Sequence, residues 1–282
     1  MGQSPGVCRR RKRPHEHCYL PLIVTARADD GPDELLATVL RPGKTHAGTG
    51  AVTVLKRIVA RLREAWPQVR IILRGDSGFA KPELYEWCER EGIEYLIGLI
   101  TNPRLYELAE PHLQAARREY RETGQKVRRL HENGYAAESW SRLRRVLIKA
   151  EVLDPGDNPR FVVTNMSGDP LELYDLYCMR GDQENRIKEL KRDLAIDRTS
   201  CHRFAANQFR LLIHSAAFVL LSFMRRCLAG TELENAQVCT LQRKLLKLGV
   251  LIRETCRKVW MEFASSCPVQ HLWPLLLDRM RA

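Results

Sequence analysis

The stretch Val69-Arg-Ile-Ile-Leu-Arg-Gly-Asp-Ser-Gly-Phe-Ala-Lys-Pro82 opens the pattern that decides the fold class. Residues 69–73 are a short apolar run, which predicts a strand. Pro82 suits the first position of a helix, which is expected to run to about Glu91, and Gly92 supplies its stop. Residues 93–99 then predict a second strand, so this region has the order strand, helix, strand.

The segments before this stretch extend the same pattern. Residues 17–25 and 35–40 are apolar, and Asp29-Asp30-Gly31-Pro32 lies between them as turn chemistry, so we expect a β-hairpin. Residues 52–66 carry apolar side chains at steps of three and four, which indicates one face of a helix. Strands that alternate with helices in this way predict a mixed α/β sheet covered by helices.

After residue 100 the pattern changes twice. Residues 102–129 are expected to be helical and are strongly basic. Beyond Asn133-Gly134, residues 146–152 and 161–164 have strand character, which suggests a β-containing insertion into the α/β core. Helices are expected again at residues 171–194 and 204–227.

Charge and composition restrict the partner. The formal net charge is +12 and the sequence pI is about 9.5, which favours a polyanion because clustered Lys and Arg bind phosphates. Charge alone does not separate DNA, RNA and acidic membrane. We expect no membrane span, since no apolar run reaches roughly 18 to 20 residues. The nine cysteines form no C-x-x-C pair, so a reducing cytoplasm fits best.

The stretch Tyr177-Cys-Met-Arg180-Gly-Asp-Gln-Glu184-Asn-Arg-Ile-Lys-Glu-Leu-Lys191 carries the candidate chemistry. We expect a single helix here, with about 100° between successive residues. On it, four side chains project within roughly 60° of one another: Tyr177, Arg180, Glu184 and Lys191. Such a face can present a metal-binding carboxylate beside phosphate-binding cations. Glu184 and Lys191 are also what ordinary surface charges on an amphipathic helix look like.

This chain resembles the insertion-sequence-four superfamily of bacterial transposases, most closely its thirteen-eighty branch. That superfamily carries Tyr, two residues, Arg, three residues, Glu, six residues and Lys, and the intervals between Tyr177, Arg180, Glu184 and Lys191 all fit. The segment from Arg74 to Phe79 is also similar to the superfamily's second-aspartate motif. The resemblance covers the chain from about residue 17 to the C-terminus.

The resemblance implies a ribonuclease H-like fold in which three carboxylates hold two Mg²⁺ ions for DNA strand cleavage and transfer. Asp76 and Glu184 correspond to the second and third carboxylates. Tyr177, Arg180 and Lys191 are implied to hold the transposon-end DNA. On spacing alone, Asp76 is equally explained as a turn residue that caps the helix after it.

This chain differs from the family at its N-terminus. Family members place the first aspartate on a strand before the hairpin, and residues 1–16 contain no aspartate and no strand pattern. Asp29, Asp30 and Asp33 fall in the hairpin turn and are not assigned to the site. The expectation is that the first strand is missing and that this polypeptide alone does not catalyse transposition.

These observations predict five segments: a basic leader (1–16), the first part of a ribonuclease H-like core (17–100), a helical and β insertion (101–167), the second part of the core (168–228) and a C-terminal extension (229–282). Two functions stay open, a Mg²⁺-dependent DNA transposase and a non-catalytic, basic DNA-binding remnant of one. The expected partners are double-stranded DNA and transposon ends, with a homodimer left open. The expected location is the bacterial cytoplasm, at the nucleoid.

The remaining basic residues have two explanations of equal weight. They form either a solvated helix face or a surface that lines DNA, and they are Arg117, Arg118, Arg121, Lys126, Arg128 and Arg129.

Overall fold

The computed structural model of the chain describes residues 19–28, 31–154 and 156–281. The chain divides into two compact units. We call His46–Glu184 the sheet unit, and the described residues of Met1–Thr45 and Asn185–Ala282 the helical unit. The predicted leader at residues 1–16, together with Asp29 and Asp30 of the hairpin turn, lies outside the described residues.

In chain order, the described strands and helices are β1 (Leu22–Ala26), β2 (Glu34–Val39), α1 (Ala51–Ala65), β3 (Ile72–Gly75), α2 (Pro82–Arg90), β4 (Glu94–Leu99), α3 (Pro103–Thr123), β5 (Val127–Tyr135), β6 (Arg144–Leu153), β7 (Gly156–Asp157), β8 (Arg160–Thr164), α4 (Pro170–Cys178), α5 (Gly181–Arg192), α6 (Phe204–Cys227), α7 (Val238–Leu241), β9 (Val250–Glu254), β10 (Val259–Phe263) and α8 (Leu272–Arg281). A 3-10 turn at Ser77–Phe79 follows β3, and a π-helical turn at Gln242–Leu246 follows α7.

The sheet unit is built on one mixed sheet. Its strand order is β3-β4-β8-β6-β5, and β7 adds to β6. The pair β3–β4 is parallel, whereas β4–β8, β8–β6 and β6–β5 are antiparallel. The helix α2 connects the two parallel strands, as a parallel pair requires. The mixed α/β sheet predicted from the sequence is therefore present.

The strands of the predicted insertion continue this sheet. β8 pairs with β4, and β6 and β5 follow in turn, so all of them share one sheet with β3. The alternating residues Val146, Ile148, Ala150 and Val152 are all buried, as their pattern predicts. The division of the chain into five segments stays a prediction.

The predicted helix at residues 102–129 is wrong at its end. α3 stops at Thr123, because Gly124 adopts a left-handed backbone with φ of 66°. Residues Val127–Tyr135 form β5, which pairs with β6 over its whole length. Asn133 and Gly134 lie inside β5, and no turn forms there, because this long-range pairing overrides their local turn preference. The strand expected at 69–73 also begins later, at Ile72.

The helical unit packs around α6. The hairpin β1–β2 is antiparallel, as predicted, and its side chains join the cluster formed with α6, α7 and α8. Leu211, Phe218 and Leu221 of α6 are buried in that cluster, whereas Phe209 and Leu220 are 64% exposed. One side of α6 therefore belongs to the core, and its other side is exposed.

The length and composition of α6 bear on the expectation that the chain has no membrane span. α6 is the one helix among the described residues that is long and apolar enough to cross a membrane. A core helix of a soluble protein can be equally long and apolar, and one face of α6 is anchored in a core cluster. Length and composition alone therefore do not assign α6 to a membrane.

A buried charge cluster holds α5 within the helical unit. The carboxylate of Glu189, which is 7% exposed, accepts hydrogen bonds from Arg186 at 2.9 Å and from Arg225 at 3.0 Å. It also accepts one from the backbone N–H of Val238 at 3.3 Å, at the start of α7. Burial lowers the pKa of Arg225, while Glu189 acts in the opposite direction. Glu189 thus connects α5, α6 and α7 through one side chain.

Candidate functional site

Asp76 follows the end of β3 directly. Its side-chain Oδ1 accepts a hydrogen bond from the backbone N–H of Gly78 at 2.9 Å and so caps the 3-10 turn. The residue is exposed, and no described residue donates a hydrogen bond to its other oxygen. The capping role is therefore real, and it leaves one carboxylate oxygen available to a ligand.

A second loop packs tightly against this turn. A Cβ added to Gly78 would lie 2.8 Å from the Cβ of Ala47 and 3.0 Å from Oδ1 of Asp76. A Cβ added to Gly48 would lie 3.1 Å from the carbonyl oxygen of Gly78 and 3.2 Å from the side chain of Lys81. Gly78 leaves no room for a side chain, and a side chain at Gly48 would require its neighbours to shift by a few tenths of an ångström. The Asp76 turn is thus held on its outer side by residues 47–48.

Tyr177 places its hydroxyl beside the same turn. A Cβ on Gly98, a buried residue of β4, would lie 2.5 Å from the Tyr177 hydroxyl oxygen and 3.4 Å from the backbone N of Ser77. Burial raises the pKa of Tyr177; the positive charge of Arg180 lowers it, and the negative charge of Asp76 raises it further. Tyr177 therefore feels both charged residues.

Arg180 joins Tyr177 to Glu184. Its guanidinium lies 5.3 Å from the centre of the Tyr177 ring, within the range of a cation–π contact. Its Nη1 lies 3.7 Å from Oε1 of Glu184. Four sequence-predicted residues of the sheet unit, counting Asp76, thus form one continuous series of contacts and charge interactions.

The prediction that these residues share a single continuous helix is wrong. α4 ends at Cys178 and α5 begins at Gly181, with a turn between them. Across the break the backbone N–H of Arg180 donates to Tyr177 and that of Gln183 donates to Arg180, both at 3.1 Å, so these hydrogen bonds span three residues. Gly181 lowers the local helix propensity and is the sequence feature that could have indicated the break.

A comparison with protein families gives the wider context of this arrangement. The family model described as transposase DDE domain, group 1, matches residues 13–282. The chain belongs to this family. A search of curated proteins finds no match to it.

Members of the transposase DDE domain family generally use divalent metal ions and act on DNA, and Asp76 and Glu184 are the metal ligands predicted from the sequence. Asp76 and Glu184 are both exposed and supply oxygen, the ligand atom that Mg²⁺ prefers. Within the described part of the chain, no group of three or more His, Cys, Asp and Glu side chains is close enough to hold a metal ion. The donor set fits Mg²⁺ in its chemistry, since Mg²⁺ is often held by one or two carboxylates and completed by water and phosphate oxygens.

Lys191 belongs to a different compact unit from the other predicted residues. It is half-buried in the last turn of α5, which belongs to the helical unit. Its role at the site of this transposase domain stays a prediction.

Most of the basic residues proposed to line DNA have acidic partners. Arg117 bonds Glu110 and Asp157, Arg129 bonds Glu119, Arg128 bonds Asp175, and Lys126 bonds Glu151, all at 2.9 Å or less. Arg118 and Arg121 are exposed, and no described carboxylate pairs with either. Four of the six positions thus have a structural explanation in this transposase domain.

Two residues near the site were not singled out from the sequence. Lys81 places its ammonium 3.4 Å from the Thr49 hydroxyl, beside the Asp76 turn. Gly98 makes room for Tyr177, and glycine inside a strand is a recognised sign of close approach. A further contact, from the guanidinium of Arg74 to the carbonyl of Leu176 at 3.0 Å, ties β3 to α4.

Proposed function

We propose that this chain is the catalytic region of an insertion-sequence transposase with a ribonuclease H-like core, from the thirteen-eighty branch of the insertion-sequence-four superfamily. The observation that carries the proposal is the series Asp76, Tyr177, Arg180 and Glu184. Its first member follows β3 and its last lies in α5, yet charge interactions and contacts connect them in one unit. The mixed sheet with flanking helices supports the core assignment.

In this proposal Asp76 and Glu184 hold Mg²⁺. When bound, two such ions activate a water or a 3′-hydroxyl and neutralise the charge on the attacked phosphate. Tyr177 is fixed by its packing on Gly98, so its ring offers a rigid surface to a sugar or base of the transposon end. Arg180 and Lys191 bind phosphates. Arg180 is then shared between Glu184 in the free chain and the DNA backbone in the complex.

The decisive experiment measures metal binding and DNA cleavage separately. Mn²⁺ binding to the purified chain is followed by electron paramagnetic resonance, and cleavage of a cognate transposon end is assayed with Mg²⁺ or Mn²⁺. Asp76→Asn and Glu184→Gln are expected to weaken Mn²⁺ binding by roughly 10-fold or more. The control is Glu172→Gln, which removes an exposed carboxylate from α4. Equal Mn²⁺ affinity in all three variants would refute the metal assignment.

The second candidate function is a non-catalytic DNA-binding protein, and the net charge of +12 favours it. It predicts salt-sensitive DNA binding that neither Asp76→Asn nor Glu184→Gln alters. The expectation that this chain alone does not catalyse transposition stays a prediction. Metal-dependent cleavage by the purified chain would contradict both that expectation and the second function. Either function would act on DNA in the bacterial cytoplasm, at the nucleoid.

A further inference from the structure

The hairpin β9–β10 is an exposed apolar feature of the helical unit. The antiparallel register pairs Met261 with Ile252 and Phe263 with Val250, so these four side chains share one face. Ile252, Met261 and the neighbouring Val259 are 64%, 59% and 63% exposed. Isolated two-stranded hairpins are marginally stable in water, and exposed apolar strands with a free edge promote pairing with another chain.

One end of this face is covered and the other is open. The Phe263 ring stacks on Trp273 of α8, with ring centres 5.0 Å apart and planes at 28°. Val259, at the opposite end of β10, has no such cover and stands among the most exposed apolar side chains described. Among the described residues, β10 pairs with β9 alone, so its outer edge is open.

We propose that a second copy of this chain pairs with the outer edge of β10. Antiparallel pairing about a two-fold axis at Met261 places Val259 of each copy opposite Phe263 of the other. The covered end of one strand then meets the open end of its partner. Both open ends are buried by the same operation, which is the self-complementarity that a two-fold interface requires.

The charges near β10 fit this register. Glu262, the only charged residue of the strand, lies opposite Trp260 of the second copy. Lys258, which follows the turn, becomes the diagonal neighbour of Glu262 across the axis, on the same face. Lys258 already lies over the Trp260 ring at 5.6 Å, so its ammonium is on that side of the hairpin. Glu262 is also the diagonal neighbour of Glu262 of the second copy, and Arg253 of its own hairpin, 3.3 Å away, balances that charge.

The outer edge of β9 does not offer the same fit. A two-fold axis at Ile252 would place Arg253 opposite Leu251 and Glu254 opposite Val250. An axis at Arg253 would oppose two arginines. The first arrangement sets two charged residues of each copy opposite apolar groups, against one at the β10 axis, and the second opposes like charges, so the geometry favours β10.

The first test compares two variants with the same change in charge. Met261→Lys puts two ammonium groups on the axis and is expected to weaken self-association on the order of 100-fold. Leu251→Lys is the matched control, because Leu251 is 56% exposed on the other strand and its register partner is Glu262. The mass of the full chain, 32.5 kDa as a monomer, is followed by analytical ultracentrifugation over a dilution series. A monomer at every concentration, or equal weakening by both variants, would overturn the proposal.

A cross-linking test keeps the proposal falsifiable if Met261→Lys disturbs the hairpin. The two copies of residue 261 would lie about 4.5–5.5 Å apart at Cα, which a disulfide can span. Met261→Cys is expected to cross-link on oxidation, and Val259→Cys is not, because it faces Phe263. Both variants are made in a background in which Ser replaces Cys8, Cys18, Cys178 and Cys256. Preferential cross-linking of Val259→Cys, or no cross-linking of either variant, would contradict the register. A Met261→Lys chain that keeps the mass of the self-associated wild-type chain but loses DNA affinity would also contradict it.

Discussion

Nη1 of Arg180 lies 3.7 Å from Oε1 of Glu184, just across the break between α4 and α5. The Glu184 side chain is 47% exposed, and exposed ion pairs contribute little to stability. The carboxylate can therefore be withdrawn from the pair at low cost. A metal ion would compete for the carboxylate, and a phosphate would compete for the guanidinium.

Replacing Arg180 is expected to move two affinities in opposite directions. Arg180→Gln removes the cation beside Glu184, so Mn²⁺ affinity of the DNA-free chain should rise about 2- to 5-fold. Affinity for transposon-end DNA should fall, because a phosphate contact is lost. Isothermal titration calorimetry and fluorescence anisotropy measure the two. Arg61→Gln removes the same charge from an exposed pair on α1 and should change neither by as much. A parallel fall in both affinities for Arg180→Gln would count against the shared role.

Gly98 and Tyr177 should be energetically coupled. In Gly98→Ala the new methyl group would stand 2.5 Å from the Tyr177 hydroxyl oxygen, and the ring is too stiff to yield cheaply. We expect a loss of about 1–3 kcal/mol in the free energy of unfolding. Tyr177→Phe removes the hydroxyl and leaves the ring carbon at 3.5 Å, an ordinary contact.

A double-variant cycle measured by urea unfolding tests this coupling. Gly98→Ala in the Tyr177→Phe background should cost less than half of what it costs alone. Simple additivity of the two single changes would show that the hydroxyl is not the group that Gly98 accommodates.

Most strands of the sheet could be predicted from the sequence, but only part of the candidate site could. Val146, Ile148, Ala150 and Val152 share one face of a strand, so this strand could be predicted, but the burial of Leu147, Lys149 and Glu151 on its other face could not. Residues 127–135 could not be, because they are basic and pair only through contacts with β6. Asp76 and Glu184 were indicated by spacing, whereas the break at Met179 and Arg180 contradicts a continuous helical face. The support from Gly98 and Lys81 depends on segments distant in sequence, which periodicity does not reveal.

The buried carboxylate of Glu151 should make stability depend on pH. Burial alone would raise its pKa, but hydrogen bonds from Lys149, Lys126 and Asn158 outweigh burial and lower the pKa to about 2. A depressed pKa means that the stabilisation is complete above the unfolded-state pKa, about 4.3, and is lost as pH falls toward 2. The contribution is on the order of 2–3 kcal/mol.

Glu151→Gln is expected to flatten this dependence. Urea unfolding of the wild-type and variant chains from pH 6 to pH 3 should show the difference between them shrinking as the solution becomes acidic. Glu119→Gln, an exposed carboxylate paired with Arg129, is the control and should show little change. A difference that is constant with pH would contradict the low pKa of Glu151.

Glu189 should be among the least replaceable carboxylates of the helical unit. Glu189→Gln leaves Arg225 buried without its anion, at an expected cost of about 3–5 kcal/mol. The pair replaced together, Glu189→Met with Arg225→Met, should recover much of this loss because no buried charge remains. Thermal unfolding by calorimetry compares the variants. A double variant less stable than Glu189→Gln would mean that the hydrogen bonds, including the one to Val238, matter more than the charge balance.

The edge position of β3 has a consequence for backbone opening. β3 is four residues long and, among the described strands, pairs only with β4, whereas β8 is enclosed between β4 and β6. Amide protons of β3 should therefore exchange with deuterium faster than those of β8. The segment that leads into Asp76 would open and close many times during the life of a folded molecule, so the position of this exposed carboxylate is set by local unfolding as well as by the static structure.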